Sequence, residues 1–459
     1  MASRRDQLQA YQFMTQRVLS AFVMRETDPA QSPLRRGVGA VFAGLMIAVM
    51  VGAGFGVVGI VTKTGSNNWR TDGAVVIEKE TGASFLYESG TLHPMLNYTS
   101  AVLAAGRSTA VFHEARNSLS GVPRGSILGI PQAPDSLPGR DKLLDGPWTM
   151  CTVSASGGRT QVTLLVGQAP LGGQSPGAQG LLVVNSDGDT YLVWQGRRYL
   201  VHQPKTVVAS LFGAVTAIPV GTAWLNGLPS GADIRTITVT GQKGKASTKV
   251  PGRKIGDLAK AQTGTGDQYY VVLDDGLAPL NALQTAIYRG QVSTDATDIP
   301  VNEMTSVPQS KQLEPPTGDD APPTKPPTIA QAAAGQQLCA ATTQAGTLPT
   351  ITIGGSIDQA GDGVATPSTS DSGSALADRV VVPGGHVALV LAVEKADATT
   401  GAYYLVTDAG RRYAVTSDNA LVALGYVPTD AVKVLSGLLL RIPAGPALDP
   451  AAAVRVADD

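Results

Sequence analysis

At 459 residues, 43% of them hydrophobic, and with a formal net charge of −1, the chain is long enough for two or three domains and has no excess charge to aim at nucleic acid. Aromatics are scarce at 5%, whereas 53 Gly and 30 Pro favour β structure with many turns and long connections.

The first element reads as a helix. Ser3-Arg4-Arg5-Asp6 has the S-x-x-D form of a capping box, and Leu8, Tyr11, Met14, Val18, Leu19 and Phe22 follow at helical spacing up to about Arg25. Asp28-Pro29 should end the helix, with Ser32-Pro33 as a further breaker. The apolar face needs a partner, because Tyr11, Phe13, Leu19 and Phe22 are costly to leave exposed together. Lipid headgroups and a cytoplasmic protein domain both fit that face.

From Gly37 to Thr62 there is no charged residue, and Arg35, Arg36 and Lys63 bracket the run. As a helix rising ~1.5 Å per residue it reaches roughly 39 Å, enough to cross a ~30 Å hydrocarbon core with some tilt. On its short N-terminal side Arg4, Arg5, Arg17, Arg25, Arg35 and Arg36 stand against Asp6, Glu26 and Asp28. The positive-inside rule therefore keeps residues 1–36 in the cytoplasm and exports everything after Lys63. The run is longer than the ~7 to 15 residues of a signal-peptide core, and Thr62 to Trp69 contains no A-x-A site, so an uncleaved single-pass anchor in the cell (inner) membrane is expected. Within it Ala40, Gly44, Ala48, Gly52 and Gly56 recur every fourth residue, a stripe of small side chains along one helical face that lets another helix approach closely.

Beyond the membrane a repeat emerges. Phe85 to Gly90, Tyr191 to Gly196, Tyr270 to Gly276 and Tyr404 to Gly410 each place a β-rich run before a Gly turn. A second run follows, clearest in Arg197-Arg198-Tyr199-Leu200-Val201 and Arg411-Arg412-Tyr413-Ala414-Val415, and then a helix-compatible segment such as 206–213 or 419–425. Each copy ends on an apolar-Pro step, at Pro123, Pro229, Pro308 and Pro443, about 38 residues after its starting aromatic. The copies are too widely spaced for a continuous solenoid. The gaps hold further strand-like runs: Trp148 to Val153 and Gln161 to Val166 in the first, Gln337 to Ala340, Thr350 to Ile353 and Val380 to Val393 in the last.

Cys151 and Cys339 lie one in each of these gaps, on the side of the membrane where disulfides persist, and a bond between them is expected. The reading is thus an α+β protein with a β-rich exported region, a single transmembrane helix, and four spaced hairpin-plus-helix repeats around a central discontinuous β domain. In residue numbers, a cytoplasmic helix and basic linker (1–36) and the span (37–62) precede repeat one (75–125) and the first central part (126–185). Repeats two (186–240) and three (262–313), a Pro-rich linker (314–328), the second central part (329–398) and repeat four (399–459) complete the chain. The Gly/Ser/Thr/Asp segment 359–378 reads as a mobile loop.

The chain carries no complete catalytic motif. Gly241 to Ser247 has the wrong glycine spacing for a phosphate-binding G-x-x-x-x-G-K-[ST] loop and reads as a basic surface turn. The G-x-G-x-x-G at Gly54, Gly56 and Gly59 lies inside the membrane span, which excludes a dinucleotide. His93, His113, His202 and His386 lack metal-ligand spacing with each other or with the cysteines. There is no G-x-S-x-G elbow, and Asn185 to Asp189 reads as a turn entering a hairpin rather than a calcium loop. No catalytic residue, cofactor or metal is assigned.

In order, an Arg-rich helix (Ser3 to Arg36), one span and four spaced repeats around a disulfide-tied centre resemble the EccB family, the single-pass core components of actinobacterial type VII (ESX) secretion complexes. The N-terminal block, the Tyr-Leu-Val…Gly-Arg-Arg-Tyr text and the Leu-Asn-Gly-Leu-Pro-Ser-Gly ending (Leu225 to Gly231) carry the resemblance most specifically. It implies a structural subunit whose exported region pairs with a second copy. It also implies that the N-terminal helix contacts the other core subunits: the motor ATPase EccC, the multispanning EccD, and EccE. Members are sometimes labelled ATPases, a label that no Walker motif here supports. A peptidoglycan-binding anchored module and a nucleotide hydrolase are the alternative readings.

Overall fold

The structure is a computed structural model describing residues 3–25, 33–63, 67–106, 110–154, 159–264, 266–292, 295–343, 347–395 and 397–457. Helix α1 (Arg4–Met24) opens with the Ser3 N–H donating to Asp6 Oδ2 at 3.0 Å, the reciprocal half of a capping box. Helix α2 (Pro33–Lys63) begins at the very proline that reads as a breaker. At the first helical position the missing N–H has no partner to lose, so Pro33 starts the next helix. Residues 26–32, with Asp28-Pro29, lie outside the described residues. Along α2, Gly37–Val57 is long and apolar enough to cross a membrane, and none of it is buried against the rest of the chain.

Three residues beyond α2, the turn Asn67–Trp69 sets the Trp69 ring edge-on to Tyr87 at 5.4 Å, fully buried with Val76, Phe85, Leu92 and Leu119. This is the floor of the first exported unit. It comprises β1 (Ala74–Glu78), β2 (Ser84–Glu88), β3 (Thr91–Pro94), α3 (Tyr98–Ala105) and β4 (Val111–Glu114), with strand order β3-β2-β1-β4 and β4 parallel to β1. The β2–β3 hairpin turns on Ser89 and Gly90, both at positive φ (48° and 79°), the geometry that makes glycine the favoured second residue. Strands β5 (Trp148–Ser154) and β6 (Thr160–Val166) then leave for a different sheet.

The same arrangement recurs three times. Unit two has β7 (Leu181–Val184), β8 (Thr190–Trp194), β9 (Arg197–Leu200), α4 (Pro204–Phe212), β10 (Ile218–Pro219) and α5 (Thr222–Gly227), ordered β10-β7-β8-β9. Unit three has β11 (Leu258–Thr263), β12 (Gly266–Val272), β13 (Leu277–Leu280), α6 (Ala282–Val292), β14 (Thr297–Asp298) and α7 (Val301–Ser306), ordered β13-β12-β11-β14. Then come β15 (Leu338–Thr342), β16 (Thr350–Ile353), β17 (Val364–Ala365) and β18 (Arg379–Val381). Unit four has β19 (Val387–Val393), β20 (Ala402–Thr407), β21 (Arg412–Val415), α8 (Asp418–Ala423), β22 (Val432–Leu435) and α9 (Ser436–Leu439), ordered β21-β20-β19-β22, before a last turn of helix, α10 (Pro450–Ala453). In every unit the fourth strand runs parallel to the first.

The recurrent proline has a physical role in this topology. Pro123, Pro229, Pro308 and Pro443 each accept, through the carbonyl, a hydrogen bond of 2.9 Å from the first or second residue of the third strand: Leu92, Arg198, Leu277 and Arg412. The returning chain accepts at this position and donates two residues later, from Gly125, Gly231, Ser310 and Gly445, so proline fills the accepting position without leaving a donor unpaired.

The six-stranded central sheet is ordered β16-β15-β5-β6-β18-β17, so strands from both gaps interleave and units two and three are inserted between its halves. The boundaries read from sequence for repeats two and four fall one strand late. β7 and β19, placed within 126–185 and 329–398, pair with β8 and β20, and the run Val380 to Val393 breaks into β18 and β19 on two different sheets. Leu181–Val184 and Val387–Val393 are almost wholly buried apolar runs, which look alike whichever sheet takes them. The segment 359–378 is not a free loop. β17 pairs with β18, Leu376 and Ala377 are buried, and Asp378 Oδ2 accepts from the Val162 N–H at 2.8 Å. The Pro-rich linker likewise lies along its neighbours: Asp320, Thr324 and Thr328 carbonyls accept from Ala232, Leu283 and Gly180.

The cores join the units in the order one, four, central, two, three. Val75, Leu86 and Leu103 of unit one share a cluster with Leu389, Leu405 and Leu421 of unit four. Met150, Leu164 and Leu338 of the central sheet share another with Val193 and Trp224 of unit two and Val390 and Leu439 of unit four. Leu283 and Ile287 of α6 close onto Val207 of α4.

Candidate interaction surfaces

Chemistry-bearing side chains are dispersed over the exported region. Among the described residues no three His, Cys, Asp or Glu converge as metal ligands. His202 pairs with Asp233 at 2.8 Å, His93 and His386 lie against the carbonyls of Ser126 and Gly384, and His113 is exposed on β4. The Gly241 to Ser247 text forms a turn whose Ala246 bridges to Lys254, followed by no helix, and Lys243 lies over the Tyr288 ring. Asn185 Oδ1 accepts from the N–H groups of Asp187 and Asp189, which makes that loop the β7–β8 turn.

Cys151 and Cys339 are directly opposite each other on β5 and β15, bonded and buried, with Cα atoms 4.0 Å apart. Around the bond the units are pinned to the centre by hydrogen bonds. Trp224, fully buried on α5, donates from Nε1 to the Met150 carbonyl at 3.0 Å, and the Gly221 N–H donates to Thr152 Oγ1 at 3.0 Å. The segment that leads into the central sheet is also bridged to unit four. Arg140, ahead of β5, makes a bidentate pair with Asp430 at 2.6 Å and holds that carboxyl below the usual range.

Tyr199 and Tyr413 are buried, and a Cβ at Gly231 or Gly445 would collide with their rings, which accounts for the glycine closing Leu-Asn-Gly-Leu-Pro-Ser-Gly. Burial pushes both phenols up. Trp224 was not singled out from the sequence. Its signal is a lone aromatic two residues before Asn226-Gly227 in a chain poor in aromatics.

On the other side of α2 the picture inverts. Leu8, Tyr11, Met14, Val18, Leu19 and Phe22 are all exposed along α1, Phe22 by 91%. Tyr11, Met14 and Val18 line a shallow hollow with Ala10 and Thr15. On α2, Ala40, Gly44, Ala48, Gly52 and Gly56 are exposed, and a Cβ added at Gly44, Gly52 or Gly56 would meet nothing within 4 Å.

A family model for "Type VII secretion system ESX-1, transport TM domain B" matches residues 1–459. The chain belongs to this EccB family. Relatives include the ESX-3 secretion system ATPase EccB3 of Mycolicibacterium smegmatis, 28% identical over 97% of this chain and 89% of that protein. The ESX-2 secretion system ATPase EccB2 of Mycobacterium tuberculosis is 28% identical over 99% of this chain and 95% of the relative. Among solved structures, a chain of an intact ESX-5 inner membrane complex superposes with a TM-score of 0.63 at 24% identity, covering 100% of this chain and 96% of that one. A chain of an EccB3 dimer from an ESX-3 core complex gives 0.61 at 23% identity, covering 83% and 100%. The EccB fold is thus shared along the chain, exported units included.

Proposed function

We propose that this EccB protein is a structural subunit of an ESX-type inner-membrane secretion complex, crossing the membrane once through α2 with α1 in the cytoplasm. Its exported units self-associate, and α1 and the small-residue face of α2 contact the other membrane subunits, among them the motor ATPase and the multispanning protein. The observation that carries this reading is the uncovered apolar face of α1, next to a span with an open small-residue stripe, in a chain whose exported units bury most of their large apolar side chains in continuous cores. The arginines preceding Gly37 support the orientation. The division of the exported region into four units around a centre is part of this proposal.

The test is co-expression with the remaining membrane subunits and purification in mild detergent through a tag on this chain. Recovery of those subunits in fixed ratio is expected. Recovery of the tagged chain only as a free monomer, under conditions that keep the other subunits together, overturns the proposal.

A further inference from the structure

Three arginines cluster where α5 of unit two packs on α9 of unit four, and among the described residues no carboxylate pairs with them. Arg198 Nη1 donates to Asn226 Oδ1 at 2.6 Å, and a Cβ on the next residue, Gly227, would lie 3.9 Å from Arg441 Cγ. Arg441 donates from Nε to the Gly437 carbonyl and from Nη1 to that of Ala375, and its neighbour Ile442 accepts from Arg412 Nε at 2.9 Å. Arg441 is 7% exposed, whereas Arg198 and Arg412 are only half-buried, their guanidinium carbons over the rings of Tyr191 and Tyr404 at 5.6 and 5.4 Å. Among the described residues none of the three makes an ion pair with Asp or Glu, and Arg198 Nε is buried with no hydrogen-bond partner. Burial holds all three guanidiniums below their ordinary range, and Arg441 is pushed further down by the charges of the other two.

The repeat fold itself does not require these charges. The residue whose N–H meets the recurrent proline is Leu92 in unit one and Leu277 in unit three, both fully buried, but Arg198 in unit two and Arg412 in unit four. Only the two units flanking the central sheet replace leucine with a cation, and Arg441 adds a third where unit two has Gly227 before its Leu-Pro step. Carbonyls satisfy part of the donor set, as at any helix C-terminus, but they leave the converging charge uncompensated.

We propose that Arg198, Arg412 and Arg441 form an oxyanion site that takes a phosphoryl group. A phosphate dianion supplies the missing charge, and its tetrahedral oxygens accept from several planar forks at once. Arg441 is the buried member of the cluster, and Arg198 and Arg412 are its more accessible members. The phosphoryl group belongs to free phosphate, to a nucleotide or to a phosphodiester polymer on the exported side, and the three share this chemistry.

The experiment is thermal unfolding of the full chain in detergent, titrated with inorganic phosphate against chloride at matched ionic strength, with ATP and poly(glycerol phosphate) as parallel probes. A saturable, phosphate-specific rise in midpoint is expected, and the probe that saturates at the lowest concentration identifies the source. In Arg198→Lys/Arg412→Lys, which keeps the charge but loses the forks, the apparent affinity falls about tenfold or more. Arg412→Leu installs the residue that units one and three already carry, so it stays folded and loses the response. An equal rise in wild type and both variants, or none with any probe in wild type, overturns the proposal. Neither result bears on membership of a secretion complex.

Discussion

Trp224 shows how much of this architecture rests on single side chains. It fills the junction of unit two with the central sheet and carries a buried hydrogen bond to Met150, so Trp224→Ala is expected to cost about 3 to 5 kcal/mol in chemical denaturation of the purified chain. Trp224→Phe keeps most of the volume but strands the carbonyl, at about 1 to 3 kcal/mol. Tyr288 on α6 gives a second, pH-dependent test. Its hydroxyl donates to the Gly256 carbonyl at 2.7 Å, and burial pushes its pKa up to about 12. A folded value above the unfolded one of about 10 means a contribution that is complete below about pH 10 and lost as pH rises toward 12. Unfolding midpoints measured between pH 9 and 12 should therefore fall, and fall less steeply in Tyr288→Phe.

Among the elements, the membrane helix and the hairpins are the parts most readable in the sequence, because their signals are local. The uncharged run from Gly37 to Thr62 and the positive-φ glycines after β2, β8 and β20 announce themselves within a few residues. The first strand of each unit does not. β7 and β19 carry no turn signature of their own, and their partners are fixed only by tertiary packing, so the boundaries slipped to the aromatic that follows. The apolar face of α1 and the stripe of α2 were legible as patterns, while the Arg198, Arg412 and Arg441 cluster was invisible because its members come from two distant units. A Cβ at Gly44, Gly52 or Gly56 meets nothing within 4 Å in the chain, so with leucines there insertion should be normal while recovery of partner subunits drops. A pull-down at equal membrane levels measures this, and normal recovery would leave the stripe without a role. Charged replacements at Tyr11 and Met14 should lower recovery of the partners in the same assay without altering the exported units.

On the scale of the whole molecule, the Cys151–Cys339 bond closes a loop 188 residues apart in sequence and ties the two halves of the central sheet. In the chain-entropy model such a loop is worth on the order of 5 kcal/mol, an upper figure. Cys151→Ser/Cys339→Ser should lower the denaturation midpoint by up to that amount while leaving the β5–β15 pairing intact, since the strand register does not depend on the sulfurs. A single cooperative transition at a lower midpoint is the expected result, and two separated transitions would mean that the bond is what makes the halves one body.

The insertion of units two and three also sets a schedule. An exported chain emerges in sequence order, and domains generally fold as they appear. Strands β5 and β6 must therefore wait for β15 and β18 until both inserted units have crossed. Unit one waits longer still, with Val75, Leu86 and Leu103 uncovered until unit four arrives to close over them. During translocation this protein passes through a stage in which its membrane-proximal end is folded but sticky and its centre is half-built. The last unit to leave the cytoplasm is the one that seals the first.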